Sequence, residues 1–111
     1  MAPAELDLVL RTGDTEQITL ALTNSGTPVN IAGRSYAAQV RSTALSSTIL
    51  ATFSCAITDA AGGIVVCTLS ATQTASLTPT IAVWDLQETN GTAVTTLVGG
   101  TCTIESDVTR L

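Results

Sequence analysis

Catalysis needs nucleophiles, bases or metal ligands, and this sequence of 111 residues offers few of them. It contains no histidine and no lysine. That excludes Ser-His-Asp and Cys-His arrangements, Schiff-base amines and lysine phosphate clamps. Three cysteines are left: Cys55, Cys67 and Cys102. Cys55 and Cys67 lie on either side of a turn around Ala61-Gly62, a spacing that sets them nearly opposite each other in a hairpin. The favoured reading is small buried thiols, because free cysteine packs as a hydrophobe. A cross-strand disulfide or thiol pair stays open. Without histidine or a Cys-x-x-C spacing, no zinc site is expected. Asp14, Asp59 and Asp107 are the carboxylates considered for acid/base work. Each sits beside a turn or at a strand end, where such groups commonly cap backbone N–H groups. Gly62-Gly63 and Gly99-Gly100 precede strands rather than helices, so they read as turn and bulge residues and not as a phosphate loop. Arg11-Thr12-Gly13-Asp14 matches an integrin-type tripeptide only loosely, because Thr12 interrupts it. The expectation is a chain with no catalytic residue, no metal, no cofactor and no enzymatic activity.

Composition narrows the class further. Nine acids face four bases, giving a net charge of -5. All four bases are arginine. A nucleic-acid binder needs a basic stripe to displace counterions from phosphates, so none is expected here. No apolar run is long enough for a membrane helix. Met1-Ala2-Pro3-Ala4-Glu5 lacks the basic start and apolar middle of a secretory signal, which predicts a soluble protein made in a cytoplasm. Hydrophobic residues make up 45% of the chain but aromatics only 3%, so the core is built from small groups. A core of that kind buries little area per residue and favours association.

The elements that must position these residues are strands. Ile81 to Glu88 is the reference stretch: Ala82, Trp84 and Leu86 alternate with Val83, Asp85 and Gln87, the period of a half-buried strand. Asn90-Gly91 predicts a type I′ hairpin turn, with Thr92 to Val98 as the return strand. Trp84, the only tryptophan, is expected to be buried and to fix the register of this hairpin. Earlier in the chain, Leu6, Leu8 and Leu10 predict a first strand, and Ile18, Leu20 and Leu22 a second. Asn24 to Pro28 reads as a loop, and Tyr36, Ala38 and Val40 form one face of a third strand. After a polar loop over Ser42 to Thr48, Ile49 to Ile57 reads as one strand with Phe53, Cys55 and Ile57 on one face. Asp59 to Gly63 turns into Ile64 to Leu69. Ser70 and Gln73 have capping-box spacing for a helix over Ser70 to Leu77, which Pro79 ends. Gly99-Gly100 is expected to kink the chain into a last strand carrying Cys102, Ile104 and Val108. Seven to eight short strands with one short helix predict an all-β fold. The specific expectation is a single antiparallel β-sandwich over residues 1–111, Ig-like or jelly-roll-like, with an extended N-terminal arm of about residues 1–4.

One ordered series of residues carries a family resemblance. Arg11-Thr12-Gly13-Asp14-Thr15 is followed by Gly26-Thr27-Pro28-Val29-Asn30-Ile31-Ala32-Gly33 and Val40-Arg41. Then come Val83-Trp84-Asp85-Leu86, the Gly91 turn, Thr95-Thr96-Leu97, Gly100 and Asp107-Val108-Thr109-Arg110. Together they resemble the small β-sandwich domains of tailed-phage virion proteins, and are similar to the N-terminal domain of phage upper baseplate proteins. The resemblance implies a bacteriophage virion structural module that binds other virion proteins and has no catalytic residues. Baseplate members continue into a coiled coil or receptor-binding region, whereas this sequence ends at Leu111. The expectation therefore moves to a capsid decoration (cement) protein, a homo-oligomer and specifically a trimer, bound in many copies to the major capsid protein. Arg110 is expected to pair with an acid on a partner subunit of that assembly, and a tail or baseplate adaptor is the alternative. A carbohydrate-binding or adhesin-like module is the third reading.

Overall fold

The computed structural model describes residues 4–109. Two short strands open the chain, β1 (Ala4–Glu5) and β2 (Leu8–Arg11), separated by Leu6 and Asp7. Leu8 and Leu10 point inward, and Leu6 is 44% exposed instead of continuing their face. β3 (Glu16–Ala21) follows, with Ile18 and Leu20 packed against the core. The segment expected as a loop forms a small hairpin, β4 (Thr23–Asn24) and β5 (Thr27–Pro28). Its turn is made by Ser25 and Gly26, both at positive φ (52° and 81°), the backbone a type I′ turn requires. β6 (Ser35–Arg41) buries Ala38 and Val40 as its alternation predicts.

The stretch from Ile49 to Ile57 is two strands and not one. β7 (Ile49–Thr52) pairs with β6, whereas β8 (Ser54–Asp59) pairs with β9 (Ile64–Leu69) in the other sheet. The crossing point is Phe53, 4% exposed, whose N–H donates to the Ala38 carbonyl at 2.9 Å. An unbroken apolar alternation hides such a crossing, because the inward face of one sheet becomes that of the other. A single helical turn, α1 (Ala71–Ala75), comes next with Ser70 as its N-cap. The capping box forms as expected: Gln73 N–H donates to Ser70 Oγ at 3.1 Å, and Ser70 N–H to Gln73 Oε1 at 2.9 Å. β10 (Thr80–Asn90) and β11 (Ala93–Glu105) complete the chain as a long hairpin.

The larger sheet runs β1-β11-β10-β6-β7, with β2 also pairing β11, and the smaller runs β3-β9-β8. One core joins them, including Leu10, Val40, Trp84 and Ile104 from the larger sheet and Val65, Cys67 and Leu69 from the smaller. The layered β architecture agrees with the sandwich expectation, though the described residues form eleven strands in place of seven or eight. The purely antiparallel expectation needs correcting. β1 and β2 both lie parallel to β11, with Ala4 opposite Val98 and Leu8 opposite Cys102. Ala4, expected in a free arm, is therefore a sheet residue; residues 1–3 and Arg110 lie outside the described part.

Two further corrections concern the long hairpin. Asn90 pairs with Ala93, so the turn residues are Gly91 and Thr92, one place later than Asn90-Gly91. Among the pair only Gly91 has positive φ (63°), the pattern of a II′ turn with glycine first. Gly99 and Gly100 do not kink the chain into a new strand but sit inside β11. Their role is close approach. A Cβ on Gly100 would lie 2.5 Å from the Leu6 carbonyl oxygen and 2.7 Å from Asp7 Oδ1.

The Leu6 carbonyl that fills that space is a partner of Trp84, which faces Gly100 across the ladder and is 3% exposed. Its indole N–H donates to the Leu6 carbonyl at 2.8 Å, reaching the strand on the far side of β11. Leu6 N–H in turn donates to Gly99 O at 3.0 Å, and Asp7 Oδ1 accepts from Thr101 N–H at 3.1 Å. The break between β1 and β2 thus keeps its polar groups paired. Phe53 packs on Trp84 with ring centroids 6.1 Å apart at 49°. Truncation of Trp84 to alanine should cost about 3–5 kcal/mol, the range for a core aromatic. Gly100→Ala should cost about 1–3 kcal/mol, because the atoms it meets are mainly backbone. Urea unfolding midpoints measure both, and the native protein should show the blue-shifted emission of a buried indole.

Candidate functional site

The surface features that remain once the core is filled are two outer sheet faces and a cleft. On the smaller sheet, Val65, Cys67 and Leu69 turn inward and are fully buried. The alternate residues face out in cross-strand rows: Gln17, Thr68 and Ser54; then Thr19, Val66 and Ala56; then Ala21, Ile64 and Asp59. Asp59, at the hairpin end, is the only charge among these nine, although the chain as a whole is strongly acidic. β-branched and small residues at these positions make a flat surface that costs little to dehydrate.

The larger sheet has a more varied outer face. Exposed Ile81 and Val9 flank Thr103 in one row, and Arg11 pairs with Glu105 at 3.1 Å beyond it. Beside them lies a groove of about 550 Å³, lined in part by Gln39, Arg41, Val83, Asp85 and Gln87. The Arg41 guanidinium is committed within the fold, donating to Ser46 O at 2.6 Å and Gln39 Oε1 at 2.9 Å. The groove pairs no nucleophile with a base.

A second, wider depression of about 750 Å³ lies between the β2–β3 loop, α1 and the segment after β11. Asp14 and Asp107 border it. Asp107 Oδ1 accepts from the Thr12 hydroxyl at 3.0 Å, and its N–H donates to Thr12 Oγ1 at 3.2 Å. Asp59 Oδ1 caps Gly62 N–H at 3.0 Å. These two carboxylates therefore fasten loops, as their sequence positions suggested. Asp14 contributes through its backbone: its carbonyl accepts from the buried Thr74 hydroxyl at 2.6 Å. Among the described residues no three His, Cys, Asp or Glu side chains gather as a metal site. Nor is any helix there long and apolar enough to cross a membrane.

Cys55 and Cys67 stand directly opposite each other in β8 and β9, as the hairpin spacing predicts, and both are free thiols. The interaction of the two facing thiols lowers the Cys55 pKa and, with burial adding, raises that of Cys67. Cys102 is buried elsewhere in the core, and burial pushes its thiol up to about 11, with Glu16 adding to the shift. Glu88, absent from the sequence candidates, is 8% exposed on the Trp84 face of β10. It accepts from Tyr36 OH at 2.7 Å and pairs with Arg34 at 3.4 Å. Burial, followed by the Glu88 hydrogen bond, raises the Tyr36 phenol strongly. The signal for Glu88 was parity, since it continues the inward series Ala82, Trp84, Leu86.

The arrangement is one of surfaces, with every aromatic withdrawn from them: Phe53 and Trp84 are in the core and Tyr36 is half-buried against Glu88. Its fold is shared with a phage protein. The chain is similar to the N-terminal domain of phage TP901-1 ORF48, a baseplate protein, with a TM-score of 0.52 and 15% identity. The likeness covers 94% of this chain and 90% of that one. No protein-family model matches, and neither does any curated protein. At this identity the likeness concerns the fold, and it agrees with the resemblance drawn from the ordered motifs.

Two solution measurements follow from the site's titrating groups. Burial, and then the neighbouring Asp14, raise the Glu16 carboxyl above its ordinary 4.5. A raised folded-state pKa favours the protonated form, so stability is full below the ordinary value and is lost as pH rises through the raised one. Glu16→Gln should thus stabilise the protein at pH 7 by less than about 1 kcal/mol, since the group is partly solvated. The gain should vanish below about pH 4. Separately, reductant with chelator should leave a cooperative thermal transition in place, because the fold forms around free thiols.

Proposed function

We propose that this chain is a non-catalytic structural module of a bacteriophage virion, working on the tail side as a baseplate or adaptor protein. The observation that carries the reading is the fold likeness to a phage baseplate protein over nearly the whole chain. The outer face of the smaller sheet, charged only at Asp59, supports it. Rows such as Thr19, Val66 and Ala56 can pack on a neighbouring virion subunit without desolvating an ion. Repetition of such weak contacts in a symmetric assembly adds their free energies without any single strong site.

The expectation of a head decoration protein rested on where the sequence stops, and the fold likeness favours the tail alternative over it. The carbohydrate-binding reading is disfavoured by the aromatics. Sugar platforms stack on exposed rings, and Phe53 and Trp84 are 4% and 3% exposed. An antibody to this chain should label intact virions at the tail tip. Labelling spread over the head would return the case to decoration, and unlabelled virions would remove the virion reading altogether. Val66→Arg, placed in the middle, uncharged row of that face, should abolish incorporation while leaving the thermal midpoint of the free protein within a few degrees. Normal incorporation of a folded Val66→Arg protein would move the docking surface elsewhere.

A further inference from the structure

The cross-strand thiols have a chemistry that an architectural role does not use. Cys55 and Cys67 occupy directly opposed positions of an antiparallel pair. Residues so placed have Cβ atoms about 4.5–5.5 Å apart, close to what a disulfide spans after small adjustment. They differ in access: Cys67 is fully buried, whereas Cys55 is half-buried and reachable at the margin of an edge strand. Cys102 lies in the other sheet, opposite Ala82 and Leu8, and has no thiol facing it in the ladder.

We propose that Cys55 and Cys67 form an oxidisable dithiol, with Cys55 as the thiol that attacks a small disulfide and Cys67 as the thiol that resolves it. The substrate class is a low-molecular-weight disulfide such as oxidised glutathione. Cys55 thiolate attacks one sulfur of that disulfide, the S–S bond breaks, and one glutathione leaves as thiolate and takes up a proton. The mixed disulfide on Cys55 is then attacked by Cys67, which gives up its proton. The second glutathione departs with that proton, leaving a Cys55–Cys67 bond. Two thiols have been oxidised and one external disulfide reduced to two thiols. The facing of the two thiols supports this division of labour, because their interaction favours the Cys55 thiolate and, with burial adding, keeps Cys67 protonated. In a reducing cytosol the pair stays open, and an oxidising medium closes it. The chemistry is independent of where in a virion the chain sits.

The test uses the full reduced chain exposed to oxidised glutathione, then alkylated and digested with a protease that cuts after Asp and Glu. Cleavage at Asp59, Asp85 and Glu88 separates the three cysteines onto different peptides. The expected product is a Cys55–Cys67 cross-linked peptide pair, with Cys102 recovered alkylated. Cys67→Ala should stop at the mixed disulfide and accumulate glutathione on Cys55. Cys55→Ala should take up no glutathione at Cys67. A folded, fully alkylated protein after oxidation would overturn the proposal, as would a Cys55–Cys55 link between two chains. Adduct formation on Cys67 in Cys55→Ala would reverse the assigned roles and equally defeat it.

Discussion

The hydrogen bond from the Trp84 indole to the Leu6 carbonyl ties three strands that no ladder alone would hold in this register. Trp84 belongs to β10 and Leu6 to the break between β1 and β2, with β11 between them. The Leu6 carbonyl can come this close to β11 because Gly100, the ladder partner of Trp84, has no side chain. A buried carbonyl without that donor would cost about 1–3 kcal/mol. The contact therefore specifies several things together: a glycine inside a strand, an interrupted first strand, and an inward-turned carbonyl at the interruption. Phe53, the point where the chain changes sheets, rests on the same ring. The crossing between layers and the parallel edge thus share one anchor.

Polar groups finish what the small apolar core begins. Thr74, 1% exposed, lies on α1 yet accepts from Gly13 N–H at 3.1 Å while donating to Asp14 O. One hydroxyl thereby docks the helical turn onto the β2–β3 loop. At the opposite end of β10, Glu88 takes an inward position that a leucine would otherwise fill, and Tyr36 and Arg34 satisfy it. A carboxylate there is tolerated because both partners come from one neighbouring segment, so its charge is met on burial. No buried side-chain nitrogen or oxygen among the described residues lacks a partner.

Local pattern made much of this fold legible. The alternation of Tyr36, Ala38 and Val40, the hairpin bringing Cys55 opposite Cys67, and the Ser70–Gln73 capping box all depend on neighbours within a few residues. What the pattern missed was set at long range. Parallel pairing of β2 with β11 joins residues more than ninety positions apart, and nothing in Leu8-Val9-Leu10 encodes the direction of its partner. The Phe53 crossing was invisible because an apolar alternation reads the same in either sheet. The hairpin turn slipped by one because glycine serves either as the second residue of a I′ turn or the first of a II′ turn. As for the site, the turn-capping parts of Asp59 and Asp107 were readable, while the charge-poor face emerged only when β3, β9 and β8 came together.

The parallel edge has a mechanical consequence. β1 begins beside Val98 and β2 runs alongside Cys102 to Glu105, in the direction of β11 itself. Tension applied outward at the start of β1 and the end of β11 would slide the two strands past each other along their length. The slanted hydrogen bonds of that ladder would bear the force together, in shear, whereas an antiparallel terminal hairpin would peel open one bond at a time. The Trp84 indole, fixed to the Leu6 carbonyl across β11, acts as a pin against the same sliding. A chain threaded in this way resists being stretched end to end far better than its small core would suggest.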